Sequence, residues 1–455
     1  MYMYVRQRIE IKPNNKQKTY FRKCFKVAVD AWNWGLDEWN RLYENGEHAD
    51  GMILRKKYCS IKEASFPDAM EVTTHASSFQ FRHLQEAFNR FYERVKRNSG
   101  AKGHPHYHRL NSMSGSFTFS FSGRNGRISN VNEGLPKHLQ VENPKHSYIL
   151  VGERCGWVKM MERIRFKGSC PQVTITQKAD KWYATFAIKI TQSEFRRTHK
   201  GASGKERFVG IDLGIEKYAT LSDGIAIENP RFEENLHIKI RKISRQCNRK
   251  QSPRSKKEKA VGIPSSKNYF KCHWKLTKIK HHISLSRHDF IHKLTSIICR
   301  RYRHIALEHL HTTDMGKQEK GWRRATRRKR VKDAAMTVFQ KQIQLKAPCY
   351  GAKVVIASRW YASTKLCSHC GKKSNIELRI VDRIFACEHC GAVIDRDLNA
   401  AYNLRNMIGV ASSESITPAD LGALVSALGK CQIPSFKVGT RKVLRKRKSQ
   451  LAVHV

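Results

Sequence analysis

Two Cys-x-x-Cys pairs near the C-terminal end constrain most strongly what this chain can fold into. The first is Cys367-Ser-His-Cys370, and after sixteen further residues comes the second, Cys387-Glu-His-Cys390. Four thiolates at such spacing fit the tetrahedral coordination of Zn²⁺, and a complete set of four leaves no open position for catalysis. We therefore predict one structural Zn²⁺ ion, bound by these four cysteines.

Three carboxylates are candidates for chemistry in the second half of the chain. Asp212 and Glu308 each end a short apolar strand, and Asp397 opens a helix just after the second cysteine pair. Taken singly, each could be an ordinary polar strand end, and either Asp395 or Asp397 could be a helix N-cap. Because strand ends in α/β sheets converge on one edge, the three together predict a single pocket.

Carboxylates that converge repel one another unless cations lie between them, and Mg²⁺ is a hard cation that prefers oxygen ligands. Two Mg²⁺ ions can activate a water on one side of a phosphodiester and stabilise the departing 3′ oxygen on the other. We predict that Asp212 bridges both ions, while Glu308 and Asp397 each complete one coordination shell. The expected reaction is phosphodiester hydrolysis.

The charge of the chain indicates a polyanionic partner. Its 455 residues include 87 Lys and Arg against 38 Asp and Glu, which gives a net charge of +49. Like charge of this size destabilises a compact fold unless a polyanion binds, and the usual polyanion is nucleic acid. An anionic membrane surface is the rival partner. We expect no membrane, because no stretch approaches about 20 apolar residues and no signal peptide opens the chain.

The thirteen cysteines favour a reducing compartment, because their number is odd and four of them form the predicted zinc site. We therefore expect a cytoplasmic location. The nine cysteines outside the two pairs are interpreted as small core residues. An alternative is a second metal site or a His-based nuclease, formed by Cys272-His273 and His281-His282.

Hydrophobic periodicity divides the chain into a β-rich part with helices and a part that alternates strands and helices. The first part has a strand over the first dozen residues, amphipathic helices at 16–45 and 74–95, and a hairpin formed by 173–177 and 182–190. The second part has strands at 208–212, 217–221, 304–308 and 353–357, which predict a mixed α/β sheet. A very basic run, Lys317–Lys332, leads into a helix with Ala335, Phe339 and Ile343 on one face.

Three motifs resemble the split RuvC motifs of the TnpB family, which are transposon-encoded RNA-guided DNA endonucleases related to ancestors of type V CRISPR effectors. They are Phe208-Val-Gly-Ile-Asp-Leu-Gly-Ile, Ile305-Ala-Leu-Glu-His-Leu, and Asp395-Arg-Asp-Leu-Asn-Ala-Ala-Tyr-Asn-Leu404 after the cysteine pairs. Three further segments are similar to family segments: Glu228–Phe232, Trp182–Phe186 and Gly103–Tyr107. The resemblance extends from residue 1 to about residue 407.

The resemblance implies a multidomain α+β and α/β protein. An N-terminal oligonucleotide-binding-like β-barrel with a helical insert precedes an RNase H-like RuvC nuclease domain, into which a zinc-knuckle module is inserted. The implied domains are residues 1–15 and 100–198 for the barrel, 16–99 for the helical recognition insert, 205–364 and 393–407 for the nuclease domain, 365–392 for the zinc module, and 408–455 for a basic, disordered tail.

The resemblance also implies the partners: a guide RNA and double-stranded target DNA, with no oligomer required. Base pairing would read the target, while a basic channel holds the backbone without reading it. The position of His75 and Ser78 is similar to that of the residues that read the target-adjacent motif in this family. The basic run is either a solvated loop or a contact with nucleic-acid backbone through Arg323, Arg324, Arg327, Arg328 and Arg330.

The function predicted from this resemblance is an Mg²⁺-dependent, RNA-guided endodeoxyribonuclease of a transposable element, which cleaves target DNA next to a short motif. A small type V CRISPR effector is a close alternative, and the genomic surroundings would separate the two. A nuclease-silent, RNA-guided DNA-binding regulator is a second alternative, although all three carboxylates are present. A strand-transferring transposase usually has the order Asp, Asp, Glu, whereas the order here is Asp, Glu, Asp.

Overall fold

The structure is a computed structural model and describes residues 2–97, 103–110, 114–121, 128–129, 135–136, 140, 146–198, 207–253, 264–310, 321–358, 361–375 and 382–408. The chain divides into two compact units. The first comprises Met1–Gly201 and Leu236–His282, and the second comprises Ala202–Asn235 and Ile283–Val455. Residues 409–455 of the predicted tail lie outside the described residues.

The first unit contains a seven-stranded antiparallel sheet with the strand order β2-β6-β7-β1-β5-β4-β3. Its strands are β1 (Tyr2–Lys12), β2 (Ser114–Ser120), β3 (Ile128–Ser129), β4 (Tyr148–Leu150), β5 (Trp157–Met160), β6 (Ser169–Lys178) and β7 (Lys181–Thr191). The predicted hairpin is confirmed as β6 and β7, which pair along most of their length. Closure of this sheet into a barrel remains a prediction.

The α-helices of the first unit include the two that hydrophobic periodicity predicts at 16–45 and 74–95. They are α1 (Asn15–Glu44), α2 (Gly51–Ser65), α3 (His75–Arg97), α4 (Gly152–Cys155), α5 (Gln192–Thr198) and α6 (His237–Asn248). Helix α1 begins after Asn14, whose side chain accepts a hydrogen bond from the backbone N–H of Gln17 at 2.9 Å. Buried aromatic residues join α1 to α3, where the rings of Trp39 and Phe88 stack 4.2 Å apart.

The second unit contains the predicted mixed sheet, in the order β10-β9-β8-β11-β12. Its strands are β8 (Phe208–Leu213), β9 (Lys217–Leu221), β10 (Ala226–Glu228), β11 (His304–Leu307) and β12 (Lys353–Ile356). Strands β8, β9 and β10 are antiparallel neighbours, whereas β11 runs parallel to both β8 and β12. A separate hairpin is formed by β13 (Ile384–Ala386) and β14 (Val393–Asp395).

Four further helices complete the described chain: α7 (Lys267–Arg301), α8 (Gly321–Ala334), α9 (Met336–Tyr350) and α10 (Arg396–Asn406). The part of the basic run from residue 321 to residue 332 is helical and forms most of α8. The sequence interpretation was wrong about Ala335, which separates α8 from α9 in a left-handed conformation with φ 51°. Among the described helices, none is long and apolar enough to cross a membrane.

Candidate active site and metal cluster

Asp212 lies inside strand β8, where its backbone pairs with Thr220 on β9. The strand continues to Leu213, so Asp212 is its penultimate residue and not, as predicted, its end. Asp212 remains partly accessible to solvent, whereas Leu213 is buried. A paired strand therefore holds this carboxylate on a rigid backbone at a position that solvent can reach.

Glu308 and Asp397 come from elements next to β8. Glu308 directly follows β11, which pairs in parallel with β8, and its backbone carbonyl accepts a hydrogen bond from the side chain of Gln340 on α9. Asp397 lies in the first turn of α10, and 13% of its side chain is exposed. Asp397 lies at the start of a helix, as predicted, whereas Glu308 follows the strand that it was predicted to end.

Electrostatic effects show that the three carboxylates are neighbours. Burial raises the pKa of Asp212 well above its ordinary value, and the negative charges of Glu308 and Asp397 raise it further. Burial also raises the pKa of Glu308. Repulsion of this kind requires carboxylates that lie close together. The structure thus places Glu308 and Asp397 near Asp212 in one partly buried acidic pocket, and carboxylate oxygens are the ligands that a hard cation such as Mg²⁺ prefers.

Helix α10 lies against strand β8 at backbone level. The contact centres on Gly210, where a Cβ atom would lie 2.0 Å from the carbonyl oxygen of Ala401 and 2.5 Å from the backbone nitrogen of Arg405. Any larger residue would push the helix away from the strand, and with it Asp397 away from Asp212. A glycine inside an apolar strand is a known sign of close backbone approach, and this sign could have identified Gly210 from the sequence.

Asp395 caps helix α10. Its Oδ1 accepts hydrogen bonds from the backbone N–H groups of Asp397 and Leu398, each at 3.0 Å. Its Oδ2 lies 3.1 Å from Nζ of Lys217, the first residue of β9. Burial opposes ionisation, but these hydrogen bonds lower the pKa of Asp395. Of the two possible caps that the sequence leaves open, the structure selects Asp395, so the side chain of Asp397 is available for other partners.

Two guanidinium groups flank Asp397. Nη2 of Arg396 lies 3.2 Å from its Oδ1, and Nη1 of Arg383 lies 3.4 Å from its Oδ2. The charge of Arg396 also acts on Asp212, where it opposes the larger effects of burial and neighbouring carboxylates on the pKa. Both arginines therefore supply positive charge beside the acidic pocket. The sequence analysis did not identify either of them.

The four predicted cysteines form one cluster. Their Sγ atoms all lie within 4.8 Å of one another, and the pairs Cys367–Cys390 and Cys370–Cys387 are each 3.7 Å apart. Thiolates about 2.3 Å from a tetrahedral Zn²⁺ ion stand roughly 3.8 Å from one another, so this donor set fits the metal. Each pair is followed by a glycine with positive φ, which turns the chain sharply.

The alternative metal site near Cys272 does not form in the part of the chain that the structure describes. There, the four-cysteine cluster is the only group of three or more candidate ligands whose donor atoms all lie within 4.8 Å of one another, and the oxygens of the acidic pocket are not all this close. The Sγ of Cys272 instead lies 2.8 Å from that of Cys247, and Nε2 of His281 lies 3.0 Å from the hydroxyl of Tyr183. Of the cysteines predicted to be core residues, four are buried: Cys24, Cys247, Cys272 and Cys299. Cys59, by contrast, is exposed.

Two asparagines attach helix α10 to the chain just before the first cysteine pair. Asn399 accepts a hydrogen bond from the backbone N–H of Ser368 at 2.8 Å and donates one to the carbonyl of Leu366 at 2.7 Å. Asn403, one turn later, donates to the carbonyls of Ser363 and Leu366. Both are buried, with 0% and 4% exposure. The cysteine cluster and the helix that carries Asp397 are therefore joined by buried hydrogen bonds, which the sequence analysis missed.

His75 and Ser78 lie in the first turn of helix α3. The hydroxyl of Ser78 donates to the carbonyl of Thr74 at 2.8 Å, and burial lowers the pKa of His75. The following turn of the same helix lines a cavity of about 750 Å³ within the first unit. Polar and aromatic residues of this cavity include Gln80, His83, Trp32, His106, His108, Arg109, Phe25 and Phe117.

The arginines predicted to contact nucleic-acid backbone lie on helix α8: Arg324, Arg327, Arg328, Arg330, and Arg323, whose side chain lies outside the described residues. Arg324 and Arg328 are exposed. Arg330 instead forms ion pairs with Glu216 at 3.4 Å and Glu234 at 3.1 Å. Arg324 and Arg328 are therefore accessible to a nucleic-acid backbone, whereas Arg330 stabilises the turn after β8 through Glu216.

The chain is similar to proteins of named function. A "Putative RNA-guided DNA endonuclease" of Streptomyces pristinaespiralis is 27% identical over 402 residues, which cover 86% of this chain and 86% of the relative. The "Putative RNA-guided DNA endonuclease InsQ" of Escherichia coli (strain K12) is 26% identical over 261 residues, or 55% of this chain and 60% of the relative. A solved Cas12f1–sgRNA–target DNA complex aligns over 89% of this chain and 99% of its own, with 12% identity and a TM-score of 0.47.

Three family models match separate segments. A "Helix-turn-helix domain" of the OrfB_IS605 type matches residues 1–48, a "Probable transposase" of the same type matches 191–319, and a "Cas12f1-like, TNB domain" matches 337–404. In the structure, the first of these segments folds as β1 and α1, and the last contains the cysteine cluster and most of α10. The matches define a transposon-associated protein with a Cas12f1-like domain. The chain is similar to the TnpB/IS605 family in these segments and in its relatives.

Proposed function

We propose that this chain is an RNA-guided DNA endonuclease, which hydrolyses target DNA beside a short motif. The observation that carries the proposal is the acidic pocket, in which burial and then the charges of Glu308 and Asp397 raise the pKa of Asp212. Two relatives are named RNA-guided DNA endonucleases, and this supports guide RNA and target DNA as the partners. The net charge of +49 supports a polyanionic partner independently.

Asp212, Glu308 and Asp397 are the residues that we propose to hold two Mg²⁺ ions, with Asp212 shared between them. When bound, these ions would activate water for attack and stabilise the departing 3′ oxygen. Strand β8 fixes the backbone of Asp212, and the cap from Asp395 fixes the first turn that carries Asp397. Arg396 lies beside these carboxylates, and its guanidinium, 3.2 Å from Oδ1 of Asp397, orients that side chain.

The zinc site is proposed to be structural. A Zn²⁺ ion held by Cys367, Cys370, Cys387 and Cys390 would have a complete coordination sphere and no free position for substrate. Hydrogen bonds from Asn399 and Asn403 join the chain beside this cluster to α10, the helix that carries Asp397. The metal would therefore make the start of that helix more rigid. The thiol cluster also supports the predicted reducing, cytoplasmic location.

The proposed function also implies a division of the chain into domains. We infer that residues 205–364 and 393–407 form the RNase H-like nuclease domain, with 365–392 as its zinc module. The antiparallel and parallel halves of the five-stranded sheet support this assignment. The seven-stranded sheet supports a barrel over 1–15 and 100–198, and helices α1 to α3 support the recognition insert over 16–99. No oligomer is required in this plan.

The experiment that tests this function begins with the protein purified together with its RNA. That RNA is sequenced, and a plasmid with a matching target is incubated with the complex in Mg²⁺ or in EDTA. Asp212→Ala should lower the cleavage rate at least about a thousandfold while nucleic-acid affinity stays within about twofold. Asp289→Ala is the matched control, because this exposed carboxylate of α7 forms an ion pair with Lys293 on the surface of the same helix. Cleavage by Asp212→Ala would overturn the proposal.

A further inference from the structure

We propose that one face of strand β1 is a binding surface for single-stranded RNA. The face is formed by alternate residues of the strand, Tyr2, Tyr4, Arg6 and Arg8, together with Lys189 on the neighbouring strand β7. We call it the β1 face. It lies within the first unit and is distinct from the acidic pocket and the cysteine cluster of the second unit.

The alternation of β1 separates this face from the core. Gln7, Ile9 and Ile11 point into the first unit and are buried. The even-numbered residues point the other way, and the tyrosine rings are among the most exposed of the described chain, at 66% for Tyr2 and 65% for Tyr4. Large aromatic residues that stand exposed beside cations on a sheet are a typical feature of nucleic-acid surfaces.

Strand register extends the face across the sheet. Tyr4 lies opposite Lys189, and Arg8 lies opposite Thr185 on β7. Thr185 in turn pairs with Thr174 on β6. Paired residues of adjacent strands point to the same side, so aromatic, basic and hydroxyl side chains share one surface. A surface of this composition can stack bases and can contact phosphates and sugars.

Two of its side chains are already held in place. Nζ of Lys189 lies 4.6 Å from the centre of the Tyr2 ring, and the guanidinium of Arg8 lies 4.9 Å from the centre of the Tyr183 ring. By contrast, Tyr4 and Arg6 make no side-chain hydrogen bond, ion pair or ring contact with the described residues. The centre of the β1 face is therefore open to a ligand, and its edges are ordered in advance.

The charge of the β1 face is positive. The carboxylate on this side of β1 is Glu10, and it is neutralised by Lys181 at 2.6 Å and Lys12 at 3.2 Å. Arg6, Arg8 and Lys189 have no such acidic partner among the described residues of the face. A polyanion would satisfy these charges, and exposed rings select a polyanion that has unpaired bases. The assignment of this surface to RNA and not to DNA rests on the proposed function, in which the protein carries a guide RNA.

The test uses the full-length chain, freed of its RNA at high salt, and a fluorescein-labelled 12-nucleotide RNA that cannot pair with itself. Affinity is measured by anisotropy in EDTA at several salt concentrations. The double substitution Tyr2→Ala/Tyr4→Ala should weaken binding about tenfold or more and leave the salt dependence unchanged, because stacking releases no counterions. Arg6→Ala/Arg8→Ala should lower the slope of log K against log salt by about 0.7 for each arginine.

The matched control is Tyr43→Ala, since this tyrosine of α1 is 69% exposed in the same unit but lies off the sheet. Its affinity should stay within twofold of the unmodified chain. Tyr4→Phe should bind normally, because it keeps the ring, and it guards against a double variant that misfolds. Unchanged RNA affinity in Tyr2→Ala/Tyr4→Ala overturns the proposal. An equal loss of affinity for a DNA strand of the same sequence overturns the assignment to RNA.

The outcome is separable from that of the proposed function. Binding to the 12-nucleotide RNA is measured without divalent metal and without cleavage, so it does not depend on Asp212. If guided cleavage fails but the tyrosine variants lose RNA affinity, the surface stands and the nuclease assignment falls. If cleavage requires Asp212 but the tyrosine variants bind normally, only the β1 face is overturned.

Discussion

Asp395 caps the helix that carries Asp397: its Oδ1 lies 3.0 Å from the backbone nitrogen of Asp397. The two acidic residues of this short motif therefore have different tasks. Asp395 is occupied by backbone N–H groups and by Lys217, and its charge acts on Asp212 less strongly than that of Asp397 does. Because Lys217 belongs to the strand that follows Asp212 along the chain, the cap also ties helix α10 to the sheet.

Replacing Asp212 with Asn should stabilise the metal-free protein. A carboxyl group whose pKa is raised on folding holds its proton more tightly in the folded chain, so stability falls as the pH rises through the folded pKa. The pKa values of Asp212 and Glu308 both shift upward. In EDTA, the unmodified chain should lose stability from acid toward neutral pH, and Asp212→Asn should lose less. Thermal unfolding across this range measures the effect, at about 2–4 °C per kcal/mol.

Asp289→Asn is the control for that experiment, because its carboxylate is exposed and pairs with Lys293 on the helix surface. Its unfolding temperature should follow that of the unmodified chain at each pH. Added Mg²⁺ should raise the unfolding temperature of the unmodified chain but not that of Asp212→Asn. Identical pH dependence in the unmodified chain and Asp212→Asn would show that the carboxylates do not repel one another.

Replacing Arg396 with Gln should tighten divalent metal binding while it slows cleavage. The guanidinium lies 3.2 Å from Asp397 and acts on Asp212, so it competes with a cation for the same carboxylates. Its removal should strengthen Mn²⁺ binding about tenfold, or 1.4 kcal/mol, in a spectroscopic titration. Arg328→Gln, at an exposed position on α8, should bind Mn²⁺ normally. Weaker metal binding by Arg396→Gln would contradict this view of the site.

Replacing Asn399 with Ala should lower stability and loosen the cysteine cluster. The side chain is fully buried and makes two hydrogen bonds to the backbone beside the first cysteine pair, so its loss leaves Ser368 and Leu366 without these partners. The expected cost is about 1–3 kcal/mol in the free energy of unfolding. Asn406→Ala is the control at an exposed position of the same helix, and should change stability by less than about 0.5 kcal/mol.

The cysteine cluster should bind one Zn²⁺ ion per chain, as measured by mass spectrometry of the purified protein. Cys370→Ser removes one of four thiolates, and should lower the zinc content and the unfolding temperature together. Cys59→Ser, at an exposed cysteine outside the cluster, should keep its zinc. A full complement of zinc in Cys370→Ser would exclude coordination by this residue.

Local elements were predictable from the sequence because their signals are local. The strand at 208–212 agrees with β8, the strand at 217–221 is β9, and the amphipathic periodicity at 16–45 agrees with α1. The break at Ala335 was not predictable in this way, since an alanine gives no sign of a left-handed conformation. Helix α2 was missed as well, because its buried face consists only of Leu54 and Tyr58.

Long-range relationships were accessible only where a motif implied them. The predicted convergence of Asp212, Glu308 and Asp397 followed from the rule that strand ends share an edge. It stays a prediction, supported by the charge effects of Glu308 and Asp397 on the pKa of Asp212. The pairing of β1 with β7 joins residues more than 150 positions apart, and no local pattern specifies it. The roles of Asn399 and Asn403 depend on which backbone carbonyls lie beside the helix, which sequence spacing alone does not give.

No residue separates the β13–β14 hairpin from helix α10, because β14 ends at Asp395 and α10 begins at Arg396. A single amino acid inserted there would rotate the helix by about 100° about its own axis, and Asp397 would swing out of the pocket. Insertions upstream, between Cys370 and Ile384, leave that count intact. Inserted residues should therefore be tolerated between Cys370 and Ile384. An insertion between Asp395 and Arg396 should abolish catalysis.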